Sequence, residues 1–572
     1  MSASAKNFYA NFFESRDPIT LTVSTQLSLI SEARELDGWH IAVGMLGFLG
    51  VIAPGFLIVY HYHPDLIVKL DVAKLVVFSA SLSVPVVFVN LVIATAAYPG
   101  EDGPDQKDAL IMAAFGSASM LYGALLPAYI WHWQVVRIDL AVPDGTAGSG
   151  LTILVGPNGG GKSTILECFR KLNSQQPTFT EGKRNKLSGD RVSIGVDFDS
   201  HSGTLRTIDQ GGSQTIWESS SNLTPPRSYV LPSRRVFQPY FGLGSWSRDQ
   251  YRNNLQELTM RGQQMDQFTT RLFNALANYP AFSTVFNRIY GEDLSWTIDQ
   301  SEQGQYYIKV AKKSAQFHNS DGLGEGVVSL LFIADALFDS APGETIVIDE
   351  PELSLHPQLQ RRLLREIVAI TSDRQVLIST HSPEMIDIRS IINGAALARI
   401  AEDNEGSKIY QLNASARSAL SILQTDFFNP HSLGYDARSC FFAEDRLVIT
   451  EGQEDVVCFN RALERLNFRP SIPFFGFGAG GASKIPLVTQ ILKALGFSRI
   501  GAVFDGDKIV EAASYRTDFP MFRSWILPTM DVRDKPAPNL KIGVCDSSYD
   551  LKPSYFRHVG RLFSRMNNYL HS

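Results

Sequence analysis

Three carboxylates, Glu451, Asp505 and Asp507, each follow a short apolar run. Leu447-Val448-Ile449-Thr450 precedes the glutamate, and Ile500-Gly501-Ala502-Val503-Phe504 precedes the aspartates. Such runs read as strands buried on both faces, and parallel sheets of this kind carry their sites at the carboxyl ends of the strands. Acids gathered at one sheet edge repel one another unless a cation lies between them, and hard carboxylate oxygens suit Mg²⁺ or Mn²⁺. The triplet therefore predicts metal-assisted chemistry.

A second constellation handles phosphate. Leu151–Val155 reads as a buried strand and runs directly into Gly156-Pro-Asn-Gly-Gly-Gly-Lys-Ser-Thr164. This spacing is a P-loop. The stretch through Asn158, Gly159 and Gly161 lets backbone amides wrap phosphates, Lys162 reaches the β- and γ-phosphates, and the Ser163 hydroxyl, with Thr164 beside it, meets Mg²⁺. Thr345-Ile-Val-Ile-Asp-Glu350 is the matching Walker B strand. It places Asp349 on Mg²⁺ and Glu350 against the attacking water. ATP with Mg²⁺ is the expected ligand.

Stepping from residues to elements, 572 residues are too many for one core, and three or four units are expected. With 19% charged residues and a formal charge of −6, the chain is not strongly basic. Any nucleic-acid contact must then use local patches. From four scattered cysteines without a C-x-x-C pair neither a disulfide framework nor a zinc site follows, and reduced, buried thiols are expected. Three stretches, 41–60, 75–98 and 109–131, contain no Lys, Arg, Asp or Glu and reach the length of a spanning helix. Aromatic residues mark several of their ends, and the 61–74 loop carries Lys69 and Lys74 while the 99–108 loop is acidic. These features predict three transmembrane helices, a lipid bilayer as partner, and a multi-pass protein of the bacterial inner membrane with the remaining domains in the cytoplasm.

The surroundings of the phosphate motifs resemble the ABC-type ATPases. Pro351-Glu-Leu-Ser-Leu-His-Pro357 is similar to that family's segment after Walker B, and Val376-Leu-Ile-Ser-Thr-His381 to its last strand. The resemblance makes His381 the switch histidine and Gln238 the candidate Q-loop residue. Leu323-Gly-Glu-Gly326 stands where the family carries Leu-Ser-Gly-Gly, so Gly324 replaces a serine. Gly324, Gly326 and the helix that follows could still offer backbone amides to a nucleotide held by a second copy. The resemblance thus implies a homodimer or higher homo-oligomer through the ATPase domains. The helical-looking stretch 248–278 reads as a projecting arm or a lid.

The order of elements around the acids resembles the TOPRIM domain of topoisomerases, primases and several nucleases. Phe441-Phe-Ala-Glu-Asp-Arg-Leu-Val-Ile-Thr-Glu-Gly452 leads into a helix, then a glycine loop, a second helix and the strand ending Asp505-Gly-Asp-Lys508. An ATPase followed by TOPRIM resembles the overcoming-lysogenization-defect (OLD) family of nucleases, many of them associated with phage defence. The resemblance covers roughly residues 134–572. It implies that Glu451, Asp505 and Asp507 hold Mg²⁺ or Mn²⁺, that Glu454 assists, and that Lys508 stabilises the transition state of nucleic-acid cleavage, with DNA ahead of RNA. The expected fold class is α/β, with a three-helix transmembrane region at 1–133, an ABC-type P-loop ATPase domain at 134–440 and a TOPRIM domain at 441–572. Two other readings, a transporter and a membrane sensor without catalysis, leave the acidic triplet unexplained.

Overall fold

The computed structural model describes residues 5–11 and 135–572, apart from 175–176, 180–191, 199–200, 209–211, 220–227, 236, 239, 258–264, 266, 312–316, 320–321, 404–405, 425–433, 443–444, 471 and 539. One compact unit comprises Met1–Ala10, Val135–Lys183 and Ser193–Ser572; a second, Asn11–Gln134 with Arg184–Val192, lies almost wholly outside the described residues.

The stretches 41–60, 75–98 and 109–131 also lie outside the described residues. Among the described residues no helix is long and apolar enough to cross a membrane. The longest, Phe556–His571, has 16 residues, and its buried side chains Val559, Phe563, Met566 and Leu570 form one stripe rather than an apolar cylinder. The expected transmembrane segment, bilayer partner and inner-membrane location are overturned on this finding. The described architecture is mixed α/β.

Its centre is a six-stranded sheet in the order 406–411, 396–403, 151–155, 375–379, 345–349, 228–231. All neighbours run parallel except the edge hairpin formed by Ala396–Asp403 and Gly406–Gln411. The Walker A, Walker B and His381-bearing strands are buried at every residue, which is why their sequences are continuous apolar runs. Helix Lys162–Asn173 covers the sheet with Ile165, Leu166, Phe169 and Leu172, a helical stripe at the 3.6-residue period.

The described residues of the 248–278 stretch do not project. It contains helices Arg248–Glu257 and Phe268–Ala277, and Tyr251, Met265, Phe268 and Leu272 are buried in the main core. Phe268 stacks on Phe332 of helix Glu325–Asp339 with ring centroids 3.8 Å apart.

A three-stranded parallel sheet, Arg446–Ile449, Arg499–Phe504 and Arg523–Ile526, carries the acids. Alternate residues face two different cores. Leu447, Ile449, Ile500, Ala502 and Phe504 join the main core, which runs without a break into the ATPase elements. Val448 and Val503 face a second core closed by Phe459, Val532, Val544 and Phe563. The join to the ATPase is specific. Arg399, fully buried on the edge hairpin, donates to the Leu495 carbonyl at 3.3 Å and lies 4.4 Å from the Phe497 ring centroid. Gly496 (φ +75°) sits between them, and a Cβ there would strike the Tyr410 ring at 2.4 Å.

Candidate functional sites

The phosphate loop is shaped by glycines in the left-handed region: Gly156, Gly159 and Gly161 have φ of +133°, +81° and +104°. Gly156 could carry no side chain, because a Cβ would lie 2.1 Å from the Ile400 carbonyl oxygen. Asn158, Gly159 and Thr164 are exposed, and Ser163 is half-buried at the start of the helix. Lys162 is buried and its ammonium donates to the Gly156 and Pro157 carbonyls at 2.9 and 3.0 Å. Burial lowers its pKa, opposed by the charges of Glu350, Asp349 and Glu352.

Those three acids end the Walker B strand. Asp349 is buried and accepts a hydrogen bond from the Ser379 hydroxyl. Glu350 has a left-handed backbone (φ +47°), and its amide donates to the Ser379 carbonyl at 2.9 Å. Its carboxylate lies 4.0 Å from His381 Nε2. Burial, followed by the charge of Lys162, lowers the His381 pKa from its ordinary value, with the charge of Asp349 opposing. The His381 amide donates to Glu352 at 2.6 Å, and the His381 ring lies 6.5 Å from that of Phe442, in the junction leading to the acidic strands. Gln238 is exposed. Three residues earlier, buried Arg235 donates to the Asp349 and Glu350 carbonyls at 2.8 and 2.9 Å and to the Ser329 hydroxyl at 2.9 Å. It thereby fastens the Walker B end to helix Glu325–Asp339. At the start of that helix, Gly326 is pressed against the Ser354 carbonyl, whereas a Cβ on Gly324 would meet nothing within 4 Å.

The second site lies where the parallel three-stranded sheet ends. The Asp505 amide donates to Glu451 Oε1 at 2.8 Å, which fixes the two acid-bearing strand ends together. The glycine loop closes over them: the Gly480 and Gly481 amides donate to the Glu451 carbonyl at 2.8 and 2.7 Å. Gly478 (φ +87°) approaches so near that a Cβ would lie 2.7 Å from Gly452 backbone atoms. Burial raises the Glu451 pKa, with the Asp505 amide and Lys508 opposing. Asp505 is pushed up to about 9 by burial and by the charges of Asp455, Glu451, Asp531 and Asp507. Lys508 Nζ is 3.9 Å from Asp507. Glu454 is drawn outward to Arg533 and to Lys535, 3.4 Å away, and its pKa is lowered chiefly by the Arg533 hydrogen bond.

The sequence reading missed half of this site. Asp455 and Asp531 are buried beside the triplet; burial pushes Asp455 up to about 7. Asp455 also caps its own helix by accepting from the Gly452 amide at 2.8 Å. The tail delivers cations as well: Lys541 reaches Asp507 at 2.8 Å and Asp531 at 3.5 Å, and Lys535 reaches Asp531 at 2.7 Å. Asp455 was discoverable as the fourth residue after Glu451, in the first turn of the helix that follows. Asp531 and Lys541 left no local signal, because only tertiary folding brings them in. Among the described residues no group of three His, Cys, Asp or Glu side chains is placed as a ready ligand set for a metal ion. The donors present are all carboxylate oxygens, which fits a hard divalent cation, and the mutual repulsion that raises Asp505 is what such a cation would relieve.

Comparison with known proteins bears on the ATPase part of the chain. Residues 151–387 match the family described as "AAA domain, putative AbiEii toxin, Type IV TA system". Over 420 residues, 60% of this chain and 76% of the relative, the sequence is 24% identical to the OLD nuclease of Thermus scotoductus. It is 25% identical over 291 residues to the Septu protein PtuA of Bacillus thuringiensis, covering 44% of this chain and 71% of that one. Among solved structures, an SMC head bound to the C-terminal winged-helix domain of ScpA aligns with 49% of this chain and 94% of its own at 13% identity and a TM-score of 0.32. The SMC head of Thermotoga maritima aligns over the same shares, 49% and 94%, at 14% identity and a TM-score of 0.28. The chain carries an AAA-type ATPase domain and is similar to OLD-type ATPases.

Proposed function

We propose that this protein is an ATP-controlled, metal-dependent nuclease, with the ATPase part at 134–440 and a TOPRIM-like nuclease part at 441–572. The observation that carries the reading is the gathering of Glu451, Asp505 and Asp507, with Asp455 and Asp531 behind them, at the carboxyl ends of a parallel sheet. Similarity to an OLD nuclease supports it. Glu451, Asp505 and Asp507 would hold Mg²⁺ or Mn²⁺, with Glu454 assisting. The cation supplies charge stabilisation for the attacking and leaving oxygens of a phosphodiester. Lys508 and Lys541 beside Asp507 stand ready to neutralise phosphate charge.

At the other site, the amides of Asn158, Gly159 and Gly161 wrap the phosphates of ATP, with Lys162 and Thr164 beside them, and Ser163 and Asp349 hold its Mg²⁺. Glu350 orients the attacking water, and His381 hydrogen-bonds the γ-phosphate region. A second copy completes the pocket with its Gly324–Gly326 helix start, and Gln238 contributes from the rim. DNA is the expected substrate ahead of RNA, and phage defence is the setting that the OLD resemblance implies.

The test is Mn²⁺-dependent cleavage of plasmid DNA and of total RNA, with and without ATP, for wild type, Asp505→Ala and Lys162→Ala. Cleavage abolished by Asp505→Ala and altered at least severalfold by Lys162→Ala is the expected result. Wild type that cuts neither substrate, or cuts no faster than Asp505→Ala, rejects the nuclease assignment.

A further inference from the structure

Six exposed apolar side chains lie on the segments that build the acidic floor of the second site. Phe477, Ile509, Val510, Met530, Leu540 and Ile542 are 40%, 62%, 79%, 57%, 76% and 60% exposed. Each adjoins a segment of the site. Phe477 precedes the glycine loop that closes over Glu451, Ile509 and Val510 follow Lys508, Met530 precedes Asp531, and Leu540 and Ile542 bracket Lys541. Lys541 itself turns inward to Asp507 at 2.8 Å while both of its neighbours stay in solvent. Helix Ile509–Asp518 buries Ala512 and Tyr515 and leaves its first two residues, both branched aliphatics, uncovered.

Such a collar is costly in water unless something covers it. The six side chains carry no charge, and the site's cations Lys508, Arg533, Lys535 and Lys541 all reach carboxylates within the floor. A continuous duplex presents phosphates at its surface. Against this collar those phosphates would lose water and gain no partner. A strand whose bases are unstacked presents the opposite arrangement: apolar base faces can cover the collar while a phosphate drops to the charged floor.

We propose that the apolar collar selects a nucleic-acid strand with unstacked bases, as in single strands, ends and bubbles, over continuous duplex. The inference rests on the nuclease reading of this site and names its substrate form.

The experiment uses the full chain with Ca²⁺ in place of Mn²⁺, so that binding is read without cleavage. Fluorescence anisotropy is measured with one labelled DNA sequence as a single strand, a perfect duplex and a duplex with an internal bubble. Stacking of a base on an aromatic ring, here that of Phe477, is worth about 1–3 kcal/mol, roughly five- to 150-fold. Single strand and bubble should therefore bind at least about fivefold more tightly than duplex. Val510→Ser combined with Leu540→Ser should remove most of that preference and leave duplex affinity within about twofold, which also reports an intact fold. Equal wild-type affinity for the three forms, or a preference unchanged in the double variant, overturns the proposal. If sedimentation shows the double variant dissociating to smaller species while its strand preference persists, the collar is a protein interface and the proposal falls. Parallel Mn²⁺ reactions with Asp505→Ala separate the two readings. Collar-dependent strand binding without any cleavage rejects the nuclease and keeps the collar; cleavage of all three forms at one rate does the reverse.

Discussion

At the residue scale, Asp505 trades stability for chemistry. Its carboxyl is buried among Glu451, Asp455, Asp507 and Asp531, and its pKa is pushed up to about 9. In the unfolded chain an aspartate titrates near 3.9. The sign follows directly: a proton held more tightly by the folded state stabilises it fully below about pH 3.9, and that contribution is lost as pH rises toward 9. Asp505→Asn has no charge to bury. It should match wild type in thermal stability near pH 4 and exceed it by about 1 kcal/mol or more at pH 8, with metal absent. Mn²⁺ binding to wild type should release protons, so calorimetric affinity should strengthen with pH up to about 9, while the Asn variant binds weakly throughout. Equal melting temperatures of the two proteins across pH 5–8 would show that the aspartate is not held against its charge.

Glycine placement sets geometry at the scale of elements. The loop Gly478–Gly481 holds the Glu451 carbonyl only because Gly478 can touch Gly452 without a side chain. Gly478→Ala must shift either the loop or the acid-bearing turn, at a cost of about 1–3 kcal/mol. It should weaken Mn²⁺ binding by calorimetry at least severalfold. Gly304→Ala, which strains a remote turn with φ +76° and only Gln300 nearby, should destabilise without changing Mn²⁺ affinity. Equal Mn²⁺ affinity in the Gly478 variant would separate the loop from the site. The elements carrying these residues were readable because each is contiguous: apolar runs 151–155, 345–349 and 500–504 are strands, and the loops that follow carry the polar residues. Arg235 was not readable, since nothing in Arg-Val-Phe-Gln marks which side chain turns inward to the Walker B carbonyls. Nor were the tail's Asp531, Lys535 and Lys541, whose pairing depends on a short two-stranded sheet formed by Asp531–Arg533 and Gly543–Cys545. The stretches at 41–60, 75–98 and 109–131 lie outside the described residues, and among the described residues no helix is long and apolar enough to cross a membrane.

On the scale of the whole molecule, one core runs from the Walker strands through helix Ala414–Gln424 into the acid-bearing sheet. The two sites therefore sit in one cooperative unit, and ligands at either should defend the same structure. ATP with Mg²⁺ at a hundredfold excess over its Kd contributes roughly 2.7 kcal/mol. In scanning calorimetry of the full chain, ATP–Mg²⁺ and Mn²⁺ should move the same peak, with shifts that add. ATP moving one peak and Mn²⁺ another would divide the unit in two. Arg399 has a bearing on how such a chain can be cut. Its guanidinium is sealed under Phe497 and donates to Leu495, both on the far side of the junction near residue 440. A truncation there would uncover a permanent cation inside an apolar face and leave Phe497 facing water. Either half cut free near residue 440 would therefore expose a surface that the intact chain covers.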